Sequence, residues 1–159
     1  MKLLFPSTLA ICCSLIISPA FAAKLNLQDC DQLLAKPVSK EIQGLIDKNK
    51  KAAAAGNADA QVFLTGFANN KLACQEEKIT GNSGWGFVMS DDKGNMESHR
   101  ATGIKDIKKY PEAWATLQDF LNYAQQAGQT DPAVRGMLAQ KILDYKNDLP
   151  EWMARGYDA

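Results

Sequence analysis

A glycine-rich segment, residues 81–103, divides this chain into two blocks and limits the folds open to it. Its glycines lie at positions 81, 84, 86, 94 and 103. Each glycine costs about 1 kcal/mol relative to alanine inside a helix, so the segment is not predicted to be helical. Trp85, Phe87 and Met89 alternate as in a half-buried strand, and residues 92–95 carry a turn signal. The segment is therefore predicted to be a small β-hairpin or an irregular loop.

The block before this segment contains three predicted helices. Their apolar positions are Leu27, Cys30, Leu33 and Leu34 in the first, Ile42, Leu45 and Ile46 in the second, and Ala60, Phe63, Leu64 and Phe67 in the third. Ser39 is the predicted N-cap of the second helix, and Gly56 is its predicted stop. Because the connection after Gly56 is so short, the second and third helices are predicted to form an antiparallel hairpin.

The block after the segment is also predicted to be helical. Its apolar positions are Ile104 and Ile107, then Trp114, Leu117, Phe120, Leu121 and Ala124, and finally Val134, Met137, Leu138, Ile142 and Tyr145. Pro111 suits the first turn of one helix that stops at Gly128, and Asp131 with Pro132 suits the start of the next. A last turn after Pro150 is expected to tuck Trp152 and Met153 against the body. The predicted fold is mainly α, with helical hairpins in a single domain.

Residues 1–22 are predicted to be an export signal. Lys2 provides a short basic start, an apolar run follows, and residues 20–22 (Ala-Phe-Ala) match the small-residue pattern of a cleavage site. Cleavage after Ala22 leaves residues 23–159 as one mainly helical domain of ordinary size. No later apolar run approaches the roughly 20 residues that span a bilayer. We therefore expect no membrane insertion after cleavage, and the predicted location is the periplasm.

The charge of the chain is balanced. It contains 18 Lys and Arg residues and 18 Asp and Glu residues, so its formal net charge is zero. Proteins that bind nucleic acid or anionic lipid through bulk charge carry a marked excess of basic residues. Nucleic acid is therefore not an expected partner.

The cysteines indicate one disulfide bond. Cys12 and Cys13 lie in the predicted signal, which leaves Cys30 and Cys74. Two thiols in an oxidising compartment are expected to pair with each other. Neither cysteine belongs to a C-x-x-C pair, and His99 is the only histidine, so no metal site is predicted.

The sequence contains no recognisable catalytic motif. His99 follows Ser98, but consecutive residues on an extended arm point to opposite faces, so the two are not expected to form a nucleophile–base pair. The acidic pairs at 76–77 and 91–92 are expected to be solvated carboxylates in loops rather than a general acid and base. We therefore predict no catalytic residues and no cofactor.

Two aromatic residues of the glycine-rich segment are candidates for a partner-binding surface. Trp85 and Phe87 are flanked by Gly84 and Gly86, which let the backbone present the two rings outward. The nearby charged residues suited to the polar rim of an interface are Asp91, Asp92, Glu97 and Arg100. The alternative is that both rings pack inward against the helical core.

A pattern of small residues marks the turn between the second and third predicted helices. The residues that carry it are Ala52, Ala53, Gly56, Ala60, Gln61 and Leu64. This stretch resembles a Sel1-like repeat, a relative of the tetratricopeptide helix pair, and a fainter echo follows at 124–138. Thr65 stands where the family pattern has glycine. The resemblance implies a non-enzymatic scaffold whose paired helices present a surface to other proteins, and it supplies no catalytic residues.

These features predict an exported protein that binds another protein in the bacterial envelope. It would act as an inhibitor of the immunity-protein type, with a toxin as its partner, or as an adaptor. The alternatives are a small envelope hydrolase acting on peptidoglycan or lipid, and a small-molecule carrier. A hydrolase needs titrating groups clustered in a cleft, and a carrier needs a large apolar cavity.

Overall fold

The computed structural model describes residues 27–81, 87–90, 96–99 and 103–155. The helices are α1 (Cys30–Leu33), α2 (Lys40–Ala54), α3 (Ala58–Thr80), α4 (Pro111–Ala127), α5 (Pro132–Asp144) and α6 (Glu151–Arg155), with a 3₁₀ turn at Ile107–Lys109. Two short strands, β1 (Phe87–Ser90) and β2 (Met96–His99), lie between α3 and the 3₁₀ turn. The mainly helical fold predicted from the sequence is confirmed.

The helices begin at the residues that their caps predict. Ser39 accepts a hydrogen bond from the backbone N–H of Ile42 at 3.2 Å, which starts α2. The Asp131 carboxylate accepts hydrogen bonds from the backbone N–H groups of Ala133 and Val134 and starts α5. Such bonds satisfy N–H groups that have no partner within the helix. The side chains of Ser39 and Asp131 therefore fix where α2 and α5 start.

The α2–α3 connection has the backbone geometry predicted for Gly56. Gly56 has φ +86°, and its N–H donates to the carbonyl of Ala53 at 2.9 Å. The N–H of Asn57 donates to the carbonyl of Ala52 at 3.0 Å, which completes a Schellman cap. By contrast, Gly128, at the end of α4, has φ −65°. The two glycines of the repeat-like pattern thus end their helices in different ways.

The buried side chains form two clusters. The larger one lies mainly between α3, α4 and α5 and includes Leu72, Leu117, Phe120 and Ile142, each with an exposed fraction of 0%. The smaller one lies between α2 and α3 and contains Ile42, Ile46, Ala53, Ala60 and Leu64. Phe63 and Phe67, predicted on the same face as Leu64, pack against the smaller cluster while partly exposed. Helix α3 contributes to both clusters and is the central element of the fold.

A disulfide bond attaches α1 to α3. It joins Cys30 and Cys74, whose Cα atoms are 5.3 Å apart, as the cysteine count predicted. The side-chain amide of Asn70 also donates a hydrogen bond to the carbonyl of Leu27 at 3.1 Å. Helix α1 has only four residues, too few for a stable isolated helix, so its position depends on these contacts with α3.

Two predictions for the C-terminal block are wrong. Ile104 is buried but lies outside any helix, because Asp106 adopts a left-handed conformation with φ +53° that interrupts a helix there. Trp152 is 67% exposed rather than tucked against the body. Met153 packs against the core instead, and adjacent residues of a helix project about 100° apart. Met153 therefore faces the core, while Trp152 projects from a different side of the helix.

Of the two structures predicted for the glycine-rich segment, the described backbone has the hairpin pairing. Strands β1 and β2 are antiparallel, with Phe87 opposite His99 and Met89 opposite Glu97. The hairpin is therefore a small addition to a helical body. Among the helices described here, none is both long and apolar enough to cross a membrane.

Candidate functional site

An open groove of about 870 Å³ is the candidate site. It lies between the α1–α2 connection, the C-terminal half of α3 and the first turns of α4. Its apolar lining residues are Leu33, Leu34, Ala35, Pro37, Val38, Ile79, Pro111, Ala113 and Ala115. Its polar lining residues are Lys36, Lys71, Gln75, Lys78, Lys109, Tyr110, Glu112, Thr116 and Asp119. Although polar and apolar residues are equally numerous, most of the exposed lining surface is apolar, as is usual for a ligand site.

Helix α3 supplies three polar residues to one wall of the groove. Lys71, Gln75 and Lys78 are four and three positions apart, a spacing that places them on one helix face. Lys71 is partly buried and Lys78 is exposed. Gln75, between them, is only 6% exposed. The wall therefore carries two cations with a buried amide in the middle.

The oxygen atom of the buried amide is the atom of interest. Oε1 of Gln75 has no partner among the described residues. Leaving such an acceptor buried and unpaired costs about 1–3 kcal/mol, and unpaired buried groups in native proteins often indicate a missing water or ligand. Gln75 is therefore the groove residue most in need of a hydrogen-bond donor from a ligand.

Ion pairs occupy part of the groove rim. Lys36, in the α1–α2 connection, donates a hydrogen bond to Oε1 of Glu112 at the start of α4. This hydrogen bond and the charge of Lys36 hold the pKa of Glu112 below its ordinary value, with smaller contributions from Lys71 and Lys78. Nζ of Lys109 similarly lies 3.0 Å from a carboxylate oxygen of Asp106.

Two cations on the rim have no counterion in contact. Within the part of the chain that the structure describes, neither Lys71 nor Lys78 makes an ion pair. Both are close enough to Glu112 to lower its pKa, but that carboxylate already accepts a hydrogen bond from Lys36. Among the described residues, the groove lining thus offers two unpaired cations against one unpaired carboxylate, Asp119, and the excess positive charge is available for an anionic group of a ligand.

A second cluster of titratable groups lies inside the core. Oε1 of Glu76 accepts hydrogen bonds from Nζ of Lys141 at 3.0 Å and from the hydroxyl of Tyr145 at 2.5 Å. The Tyr145 hydroxyl in turn accepts one from the N–H of Ile104 at 3.2 Å. Burial raises the pKa of Tyr145 well above its ordinary value, and the negative charge of Glu76 raises it further. The phenol therefore stays protonated and acts as a donor.

This cluster corrects the prediction for the acidic pair at 76–77. Helix α3 continues through both residues, so they lie in a helix rather than a loop. Glu76 is 8% exposed, whereas Glu77 is exposed. The helical spacing of α3 is the sequence feature that indicates the burial of Glu76, because this residue follows the buried residues Ala68 and Leu72 at intervals of four.

The partner surface predicted from the sequence falls largely outside the described residues. This applies to Trp85, Asp91, Asp92 and Arg100. Phe87 and Glu97 lie in β1 and β2, where only the backbone is described, and they are not opposite each other in the strand register. That surface stays a prediction. The groove was not predicted from the sequence. The spacing of Lys71, Gln75 and Lys78, which places three polar residues on one helix face, is the sequence feature that points to one of its walls.

The sequence matches no protein-family model, no curated protein and no solved structure. Among the residues with described side chains, no three His, Cys, Asp or Glu residues come together as a metal site would require. A functional conclusion for this chain therefore rests on the groove and the side chains that line it.

Proposed function

We propose that this chain is an exported, non-enzymatic protein-binding protein of the bacterial periplasm and that the groove receives its partner. The observation that carries the proposal is the unpaired Oε1 of Gln75, buried in the wall of an open groove. A bound chain that donates a hydrogen bond there would remove the cost of the unpaired acceptor. The apolar lining would contribute binding energy by becoming buried.

The titratable groups favour binding over catalysis. Glu112, on the rim, accepts a hydrogen bond from Lys36 that lowers its pKa, so this carboxylate is already engaged in an ion pair and is not poised as a general acid, which must be protonated. The buried carboxylate of Glu76 is engaged by Lys141 and Tyr145 and does not line the groove. These features count against the alternative of a small envelope hydrolase.

The proposed location rests on the N-terminal pattern and on the disulfide. Residues 1–22 have the basic start, apolar run and small-residue end of a signal peptide. The Cys30–Cys74 bond belongs to the kind that persists in an oxidising compartment. Within the periplasm, the partner would be a toxin if the protein is an inhibitor of the immunity type, or an envelope component if it is an adaptor.

We also propose a relation to Sel1-like repeats. Its support is the α2–α3 turn, where the small residues of the pattern allow two helices to meet. The side chain of Gln61 donates a hydrogen bond to the carbonyl of Ala53 across this turn at 3.4 Å. A scaffold of paired helices accords with a protein-binding role.

A small-molecule carrier is the second candidate function. The observation that favours it is the size of the groove, since about 870 Å³ matches the volume of small-molecule sites. A carrier would hold an apolar compound against the same lining residues. The carrier hypothesis therefore predicts a ligand other than a protein in the same place.

Site-specific photo-crosslinking tests the proposed function. A benzophenone amino acid replaces Ala115, which is exposed and lines the groove, or Ala133, which is exposed on α5 outside it. We expect irradiation in the producing cells to attach an envelope protein at position 115 and not at position 133. No protein adduct at position 115, or equal adducts at both positions, would contradict the proposal.

A further inference from the structure

We infer that the groove binds an extended, acidic peptide segment of the partner protein, an inference that rests on the proposed function. Three properties of the groove carry it: the unpaired amide of Gln75, the cations Lys71 and Lys78, and the apolar lining. Each selects a different part of the ligand, namely its backbone, its charge and its other side chains.

The Gln75 amide matches the polar groups of a peptide backbone. Oε1 needs a donor, and a primary amide also offers two N–H donors. Because Oε1 is itself covered, a ligand reaches it only after the amide turns toward the groove. A peptide unit, which supplies one N–H and one carbonyl, then pairs with both ends of the amide. An ionised fatty acid has only acceptor oxygens and cannot donate to Oε1. The buried acceptor therefore favours a peptide over an anionic amphiphile.

The lysines of α3 specify the charge of the peptide. Lys71 and Lys78 flank Gln75 on one helix face and have no ion-pair partner among the described residues. Seven residues of helix span about 10 Å, which lies between the roughly 7 Å and 13 Å covered by two and by four residues of extended chain, and residues at these even separations project from the same face. Two acidic side chains on one short segment can therefore reach both ammonium groups while the backbone between them lies over Gln75.

The apolar lining specifies the remaining side chains. Leu34, Val38 and Ile79 are partly exposed in the groove and would lose contact with water when covered. Burial of such surface favours binding by about 25 cal/mol per Å². The ligand is therefore an acidic segment with apolar side chains between its charges, not a purely acidic tail.

Fluorescence anisotropy with three synthetic peptides tests this inference. Each labelled octapeptide alternates leucine with a second residue, which is Glu in the first, Gln in the second and Lys in the third. We expect the Glu peptide to bind at least about tenfold more tightly than the Gln peptide, with the Lys peptide weakest. Equal binding of the three peptides, including no binding by any, would overturn the inference.

Matched variants locate the binding of the Glu peptide. The double variant Lys71→Glu, Lys78→Glu is expected to reverse the order of the Glu and Lys peptides. The control Lys48→Glu, Lys51→Glu makes the same charge change at exposed positions of α2 outside the groove and should leave the order unchanged. Gln75→Leu is expected to weaken the Glu peptide about tenfold, the value of one lost hydrogen bond. Thermal unfolding of each variant establishes that it is folded.

The adduct formed at position 115 separates this inference from the proposed function. Mass spectrometry of the crosslinked peptide identifies the part of the partner that lies in the groove. A segment containing Asp or Glu among apolar residues is the expected result. A basic or uncharged protein segment would overturn the inference and leave the protein-binding function standing. Displacement of the partner by dodecanoate, with no binding of the Glu peptide, would instead favour the carrier.

Discussion

The hydroxyl group of Tyr145 donates a 2.5 Å hydrogen bond to Oε1 of Glu76, a carboxylate 69 residues earlier in the chain. The same oxygen accepts a hydrogen bond from Lys141, and Ile104 donates its N–H to the Tyr145 hydroxyl. These bonds join α3, α5 and the chain that returns from the hairpin. The sequence shows no sign of this link, because the groups lie in three distant segments.

Loss of the Glu76 charge should destabilise the fold. Glu76→Gln leaves the ammonium group of Lys141 buried without a counterion, and we expect the free energy of unfolding to fall by about 3 kcal/mol. Glu77→Gln is the matched control, because the side chain of Glu77 is exposed. Its free energy of unfolding should stay within about 0.5 kcal/mol of the wild-type value. Urea denaturation measures both values. Equal stability of the two variants would show that the buried ion pair is not important.

The raised pKa of Tyr145 predicts a loss of stability in alkali. The unfolded chain releases the phenolic proton near the ordinary pKa of 10.0, whereas the folded chain retains it. The contribution of Tyr145 to the free energy of unfolding is therefore fully present below pH 10.0. It declines as the pH rises further, by up to about 1.4 kcal/mol per pH unit. Tyr145→Phe should be less stable than wild type at neutral pH, and the difference should narrow above pH 10.0. Denaturation curves at a series of pH values test this; a constant difference would contradict it.

Gly103 is required by the position of the Tyr145 ring. A Cβ atom at residue 103 would lie 2.6 Å from Cζ of Tyr145, and that ring is only 1% exposed and cannot withdraw. Gly103→Ala should therefore destabilise the protein by about 1–3 kcal/mol. Gly136→Ala is the control, because a Cβ there meets nothing within 4 Å and alanine should stabilise α5 by about 0.5–1 kcal/mol. Opposite shifts in melting temperature are expected; the same direction for both would be inconsistent with this packing.

The Cys30–Cys74 disulfide should stabilise the fold through its effect on the unfolded chain. Its cysteines are 44 residues apart, and a loop of this size predicts a loss of about 2–4 kcal/mol in the variant Cys30→Ser, Cys74→Ser. Wild-type protein treated with reductant should show the same loss and serves as the control. Thiol titration of the untreated protein should find neither cysteine free. Two reactive thiols in protein purified without reductant would disprove the bond.

Local features of the fold were predictable from the sequence. Ser39 and Asp131 bond to N–H groups two or three residues away, so a short stretch contains all the information. Gly56 is similar, since its carbonyl partner lies three residues before it. The disulfide followed from the cysteine count, because only one pairing was available to the cysteines outside the predicted signal.

Features that join distant segments were not predictable in this way. The groove brings together Leu33, Lys78 and Ala115. These residues are far apart in the sequence, and their spacing does not predict that they lie close together in the fold. The pair at 76–77 was predicted to be solvated in a loop, and nothing near Glu76 in the sequence identifies its partner Lys141, which lies 65 residues later. The surface formed by Trp85 and Phe87 depends on side-chain directions outside the described residues, and it stays a prediction.

Whether the groove binds the partner is decided by measuring the affinity of the partner for a variant whose groove is blocked. Ala115→Arg places a long side chain in the groove, whereas Ala133→Arg places the same side chain on exposed α5. Calorimetric titration with the protein captured at position 115 should show affinity at least about 30-fold lower for Ala115→Arg. Ala133→Arg should bind as wild type does, with all melting temperatures alike. Wild-type affinity in a folded Ala115→Arg variant would contradict the claim that this groove is the binding site.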